Sequence, residues 1–119
     1  MHAVWFSAAP NQRGVFYGRP RENGVDGLRR VGGDSASHAD IAVHGRNIVL
    51  AWKAYDTGRT WLRGSISRDG GTTWQDADLK STAGASDYPR VLWHDGTFSV
   101  FWNTSEEPLG VVTLPFAKE

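Results

Sequence analysis

The chain has 119 residues, 13 of them Lys or Arg and 13 Asp or Glu, so its formal charge is zero. That balance excludes a surface devoted to neutralising nucleic acid or an acidic membrane. With no Cys, disulfide and Cys-based zinc frameworks are excluded too. Six Trp, fourteen Gly and five Pro spread along the chain describe short strands joined by many turns. No apolar run of roughly 18 residues is present, so no membrane span is expected. The opening residues lack the charged and apolar regions of a signal peptide; if the parent protein is exported, its leader is expected outside this chain. One ordinary domain of about 100–150 residues would suit the length.

In chain order, the first β-rich segment is Ala3-Val4-Trp5-Phe6. Residues Arg13 to Leu28 follow and are expected to pair with it. The next four strands are expected at 37–43, 46–54, 60–67 and 74–80. After them come Val91-Leu92, then Phe98-Ser99-Val100-Phe101-Trp102, and last Val111-Val112-Thr113. No segment sustains a helical period.

These strands recur. Ile41 onward aligns with Val91 onward at an offset of 50, placing His44 on His94, Ile48 on Phe98 and Trp52 on Trp102. Trp5 aligns with Trp52 at an offset of 47, and Arg13 to Leu28 with Arg59 to Trp74 at 46, so Gly18 meets Gly64. A repeat of this length with several strands per unit predicts a propeller. The units are expected at 1–36, 37–82 and 83–119. The first begins at its second strand and the last ends in its third, so only the middle unit has four strands.

Between the third and fourth strands of the middle unit lies Ser67-Arg68-Asp69-Gly70-Gly71-Thr72-Thr73-Trp74. Asp69 can accept hydrogen bonds from turn N–H groups, and Gly70 and Gly71 can take positive φ. Ser67 and Thr73 can pair across the turn, and Trp74 can bury its ring between sheets. One carboxylate without an Asp-x-Asp-x-Asp pattern is a poor calcium site. The first unit carries a decayed counterpart, Arg21 to Leu28, in which Asn23 replaces the acceptor and Val25 and Leu28 replace glycine and tryptophan. Its turn should be less well held.

The octapeptide resembles the Asp-box of BNR-repeat and sialidase-like proteins, Ser-x-Asp-x-Gly-x-Thr-Trp. All five defining positions match: Ser67, Asp69, Gly71, Thr73 and Trp74. The segments 37–43 and 86–92 also resemble inner strands of such blades. The resemblance implies a sialidase-like β-propeller portion: one complete four-stranded blade flanked by two incomplete ones. It further implies that the box is a folding device at the outer edge of a blade, away from the ligand face, and that the protein is extracytoplasmic, periplasmic or secreted.

Sialidase chemistry needs three arginines, a tyrosine nucleophile with its glutamate, and an acid/base aspartate, drawn from separate blades. This chain lacks the Arg-Ile-Pro segment that often carries the first arginine, and no residue is assigned as catalytic. The ligand-facing candidates at the starts of inner strands are His38, Asp40, Asp87, Tyr88 and Arg90. Tyr88 and Arg90, two apart, should share one face of a strand and could imitate a nucleophile and a carboxylate clamp. The plainer assignment has Tyr88 packing and Arg90 pairing with a neighbouring blade. His44 and His94 suggest a shared role on the rim. Trp61 and Trp93 suit core between blades, or sugar stacking if exposed, and Glu106-Glu107 a solvated turn.

Two functions follow from the resemblance. One is a non-catalytic propeller portion used for carbohydrate binding, for binding another protein, or for assembly. The other is the C-terminal part of an exo-sialidase or related glycoside hydrolase, with the remaining catalytic residues upstream. No cofactor or metal is expected. The expected partners are the missing blades, from a longer parent chain or from copies of this one, with a segment of a longer protein favoured.

Overall fold

A computed structural model describes residues 1–33 and 35–115. The chain is all-β, with three antiparallel sheets, none of them closed on itself. The first sheet holds β1 (Ala3–Ser7), β2 (Gly14–Arg21) and β3 (Gly24–Gly32) in that order. The second holds β4 (Ala36–His44), β5 (Asn47–Asp56), β6 (Arg59–Ser67) and β7 (Gln75–Thr82). The third holds β8 (Arg90–His94), β9 (Thr97–Phe101) and β10 (Val111–Pro115). The four strands expected in the middle unit lie within two residues of the observed ones.

Each sheet is a meander of sequential antiparallel strands, and several of the turns are two-residue hairpins. Thr57-Gly58 and Asp95-Gly96 both take positive φ, as two-residue hairpins require for their twist to match that of the strands. Arg21 to Gly24 is also a two-residue hairpin, with an Arg21–Asp26 ion pair of 2.9 Å beside it. The first sheet thus closes that end with a tight turn, where a loosened copy of the octapeptide turn was expected.

β5 organises the packing. Ile48, Leu50, Trp52 and Ala54 face the first sheet, where Val15, Tyr17 and Val31 meet them. Val49 and Ala51 point the other way, with Leu62, toward Val91, Phe98, Val100 and Trp102 of the third sheet. Alternation along a strand sends successive side chains to opposite faces, so a strand apolar at every position needs cover on both. β4, the first strand of the second sheet, lies beside both β1 and β8.

Register corrects one alignment. Trp5 pairs with Phe16, whereas Trp52 pairs with Arg63. With Trp5 equivalent to Trp52, Phe16 is equivalent to Arg63, and the offset stays 47 through β2. Burial agrees: Val15, Tyr17 and Gly18 are buried with Phe16 half-buried, as Leu62, Gly64 and Ser65 are buried with Arg63 half-buried. The offset of 46 matched one glycine to another but would have turned β2 inside out, because a one-residue slip exchanges the two faces.

The indole of Trp52 lies against Gly32 and is 3% exposed. Truncating it leaves a cavity between two sheets. Trp52→Ala should therefore lower the unfolding free energy by about 3–5 kcal/mol in chemical denaturation; a loss below about 1 kcal/mol would show that this face is not packed.

Candidate functional site

Two clusters carry the polar chemistry of the second sheet, and they lie at opposite ends of it. The octapeptide turn follows Ser67, which pairs with Ile48 at the start of β5. The ligand-facing candidates gather around Ser37, which pairs with Lys53 near the end of the same strand. Five residues of extended chain separate these levels by about 17 Å.

In the turn, four hydrogen bonds converge on the Asp69 carboxylate. One carboxylate oxygen accepts the N–H groups of Thr72 and Thr73 at 3.1 and 2.9 Å and the Ser67 hydroxyl at 2.8 Å. The other accepts the Thr73 hydroxyl at 2.5 Å. Ser67 and Thr73 thus meet through the carboxylate and not directly. Ser67 Oγ also accepts the Gly71 N–H at 2.9 Å. Gly70 N–H donates to the Arg46 carbonyl at 2.9 Å, tying the turn to the β4–β5 hairpin. A side chain at Gly71 would collide with the Tyr17 hydroxyl, so the turn also seats against the first sheet.

Trp74 completes that contact. Its Nε1–H donates to the Gly71 carbonyl at 3.1 Å, and its ring meets Tyr17 edge-on at 4.8 Å. The Arg29 guanidinium lies 5.0 Å from the ring and donates to Ser65 and Asp76, joining β3 to β6 and β7. The hydrogen bonds from Thr73, Ser67 and Thr72 hold the Asp69 carboxyl well below its ordinary range.

At the other end, a β-bulge places one extra residue in β4 between Ser37 and Asp40. His38 sits on that bulge in the left-handed region, at φ 52°. Its ring stacks on Tyr88 with centroids 3.9 Å apart and planes 10° from parallel. Lys53 Nζ lies 5.7 Å from the Tyr88 ring and donates to the Ser86 carbonyl at 3.1 Å. Burial pushes the Lys53 ammonium pKa down, while the charge of Asp87 acts against that shift.

The remaining candidates divide by role. Asp40 accepts the Val91 N–H at 2.8 Å and so joins the second and third sheets. Asp87 is fixed through its backbone: its N–H donates to the Asn103 carbonyl at 2.8 Å, and its carbonyl accepts Trp102 Nε1–H at 2.9 Å. Tyr88 does not share a strand with Arg90. β8 begins at Arg90, and Tyr88 precedes it in a loop, with Pro89 between. Both still border one open cleft of about 570 Å³, with Ser86, Asp87, Phe101 and Asn103. Arg90 is exposed and has no ion-pair partner among the described residues, where pairing with a neighbouring sheet was expected.

Sequence reasoning missed Lys53 and the bulge. The sole hint of either was a lysine inside an otherwise apolar strand. His44 stacks on Trp93 at 4.1 Å, whereas His94 is exposed beside Asp95, so the two histidines differ in partner. Trp93 packs into the core as expected; Trp61 is half-buried, with its Nε1–H buried and unpartnered. Glu106 and Glu107 are not a free turn: they bind Thr82 and Lys80 of β7. Among the described residues, no three His, Asp or Glu side chains gather as metal ligands would. No protein-family model matches the chain, and neither a curated protein nor a solved structure matches it.

Two outcomes follow from the turn. Ser67 is 1% exposed, and its removal leaves the Gly71 N–H without a partner. Ser67→Ala should cost about 1–3 kcal/mol by urea denaturation; an unchanged midpoint would contradict the role. The depressed Asp69 carboxyl contributes stability that is complete above its unfolded value of about 4 and is lost as pH falls toward the folded value. Thermal midpoints should therefore fall below about pH 4, and Asp69→Asn should start lower at neutral pH and fall less steeply. Parallel curves for the two proteins would remove Asp69 from the account.

Proposed function

We propose that the chain is a non-catalytic portion of an extracytoplasmic β-propeller of the BNR/sialidase-like class, serving binding or assembly. The observation that carries this reading is a four-stranded sheet with all five Asp-box residues at its β6–β7 turn, flanked on each face by a sheet of equivalent strands. Its ligand surface is the end of the second sheet opposite the box. There the stacked His38 and Tyr88 rings, Arg90 and the Asp87 loop border the open cleft. A flat aromatic ledge beside charged and amide groups suits a glycan or a polar protein segment.

One observation favours the rival reading, a glycoside hydrolase of the sialidase type: Tyr88 and Arg90 border the same cleft. A tyrosine nucleophile needs a carboxylate to take its proton. The contacts of Tyr88 are instead the His38 ring and the Lys53 ammonium, and Glu106 and Glu107 are engaged with β7. Asp40 is occupied by a backbone N–H, and the Asp87 carboxylate, which borders the same cleft, acts on the Lys53 ammonium.

The purified chain should accordingly release no fluorophore from a fluorogenic sialoside. Measurable turnover, abolished by Tyr88→Phe, would replace the binding reading with the catalytic one.

A further inference from the structure

Four asparagines occur in the chain, and Asn23 is the one followed by glycine. Glu22 and Asn23 form the turn between β2 and β3, past the last rung of the ladder, where Arg21 pairs with Gly24. The turn lies beyond the end of the first sheet and not on either of its faces. Glu22, Asn23 and Gly24 are all exposed, and a Cβ at Gly24 would meet nothing within 4 Å. Among the described residues, the Asn23 amide has no hydrogen-bond partner. Neither Glu22 nor Asn23 takes positive φ, so the turn lacks the twist that suits a two-residue hairpin, and two register shifts interrupt the ladder behind it. An exposed closing rung of this kind opens readily.

The three Asp-Gly pairs of the chain are less open to attack at the side-chain carbon. The Asp69 carboxylate accepts four hydrogen bonds, and the Gly70 N–H donates to the Arg46 carbonyl at 2.9 Å. Asp26 pairs with Arg21 at 2.9 Å, and Asp95 lies beside His94 at 3.3 Å. An ionised carboxylate also resists a nucleophile where a neutral amide accepts it.

We infer that Asn23-Gly24 is a site of covalent modification by water, deamidation through a cyclic imide, and that the fold directs the reaction there. The Gly24 backbone nitrogen attacks the Asn23 Cγ. A C–N bond forms and closes a five-membered ring, the bond from Cγ to Nδ2 breaks, and ammonia leaves with the proton that the Gly24 nitrogen gives up. Water then opens the ring at either of its two carbonyls, leaving aspartate or isoaspartate at position 23. One water is consumed and one ammonia released, with no change of oxidation state. Glycine permits the closure because no Cβ blocks the approach of Cγ to the nitrogen. The product carries a new carboxylate beside the Arg21–Asp26 pair and takes the formal charge from zero to minus one. The isoaspartate form also adds one carbon to the main chain of the turn.

The purified full chain, kept for days in native buffer at about pH 8 and then digested with trypsin, should gain about one dalton in the peptide Glu22–Arg29. The peptides holding Asn11, Asn47 and Asn103 should keep their masses. Asn23→Gln keeps an amide on the exposed turn but needs a six-membered ring, and should react at least about tenfold more slowly. Isoaspartate at position 69, mapped by enzymatic methylation of its main-chain carboxylate, should form only when the chain is unfolded in urea. A peptide Glu22–Arg29 that stays unmodified in native buffer, or that changes only in urea, would overturn the assignment. So would an unchanged rate in Asn23→Gln, or isoaspartate forming at position 69 equally fast in native buffer and in urea.

Discussion

Five consecutive residues of β5, Ile48 to Trp52, are buried, and they alternate between two faces. That constraint shapes the rest. A strand apolar on both sides cannot lie at a surface, so its sheet must be sandwiched. Each flanking sheet uses its own alternation to cover one side, and each is left with a second face to account for. Polar ties then fix how the sheets sit. Arg29 reaches Ser65 and Asp76 on one side, and Asp40 holds the Val91 N–H on the other.

The Asp69 turn serves the same packing. A carboxylate that gathers two N–H groups and two hydroxyls makes a rigid corner out of a loop that would otherwise be mobile. Rigidity there sets the position of Trp74, whose ring meets Tyr17 across the junction. The turn needs its glycines for a tertiary reason as well as a conformational one, because Gly71 leaves room for the Tyr17 hydroxyl. The turn and the His38–Tyr88 cluster are thereby kept at opposite ends of the sheet. The turn contributes nothing to the cleft beside Tyr88.

Much of this was legible in the sequence. Period-two alternation located the strands, and the four expected in the middle of the chain fall within two residues of one four-stranded sheet. What stayed hidden depends on register and on tertiary contact. Gly18 and Gly64 matched as letters, yet the pairing of Trp5 with Phe16 decides which face each residue takes. Tyr88 looked like a strand residue because Pro89, which delays the start of β8, falls between two strand-like positions. Asp40 resembled a ligand-facing carboxylate, and only the neighbouring sheet reveals the N–H that occupies it. The left-handed conformation of His38 has only a weak local sign, since histidine enters that region more often than most residues but far less than glycine.

The central claim is that equivalent sheets pack face to face through aromatic side chains. Nuclear Overhauser contacts between rings test it most directly, because they report proximity across the two junctions independently of stability. Cross-peaks should join Tyr17 to Trp74, whose centroids are 4.8 Å apart, and His44 to Trp93, at 4.1 Å. A spectrum with well-dispersed strand signals but neither cross-peak would mean that the sheets form without packing as described, and would contradict the account.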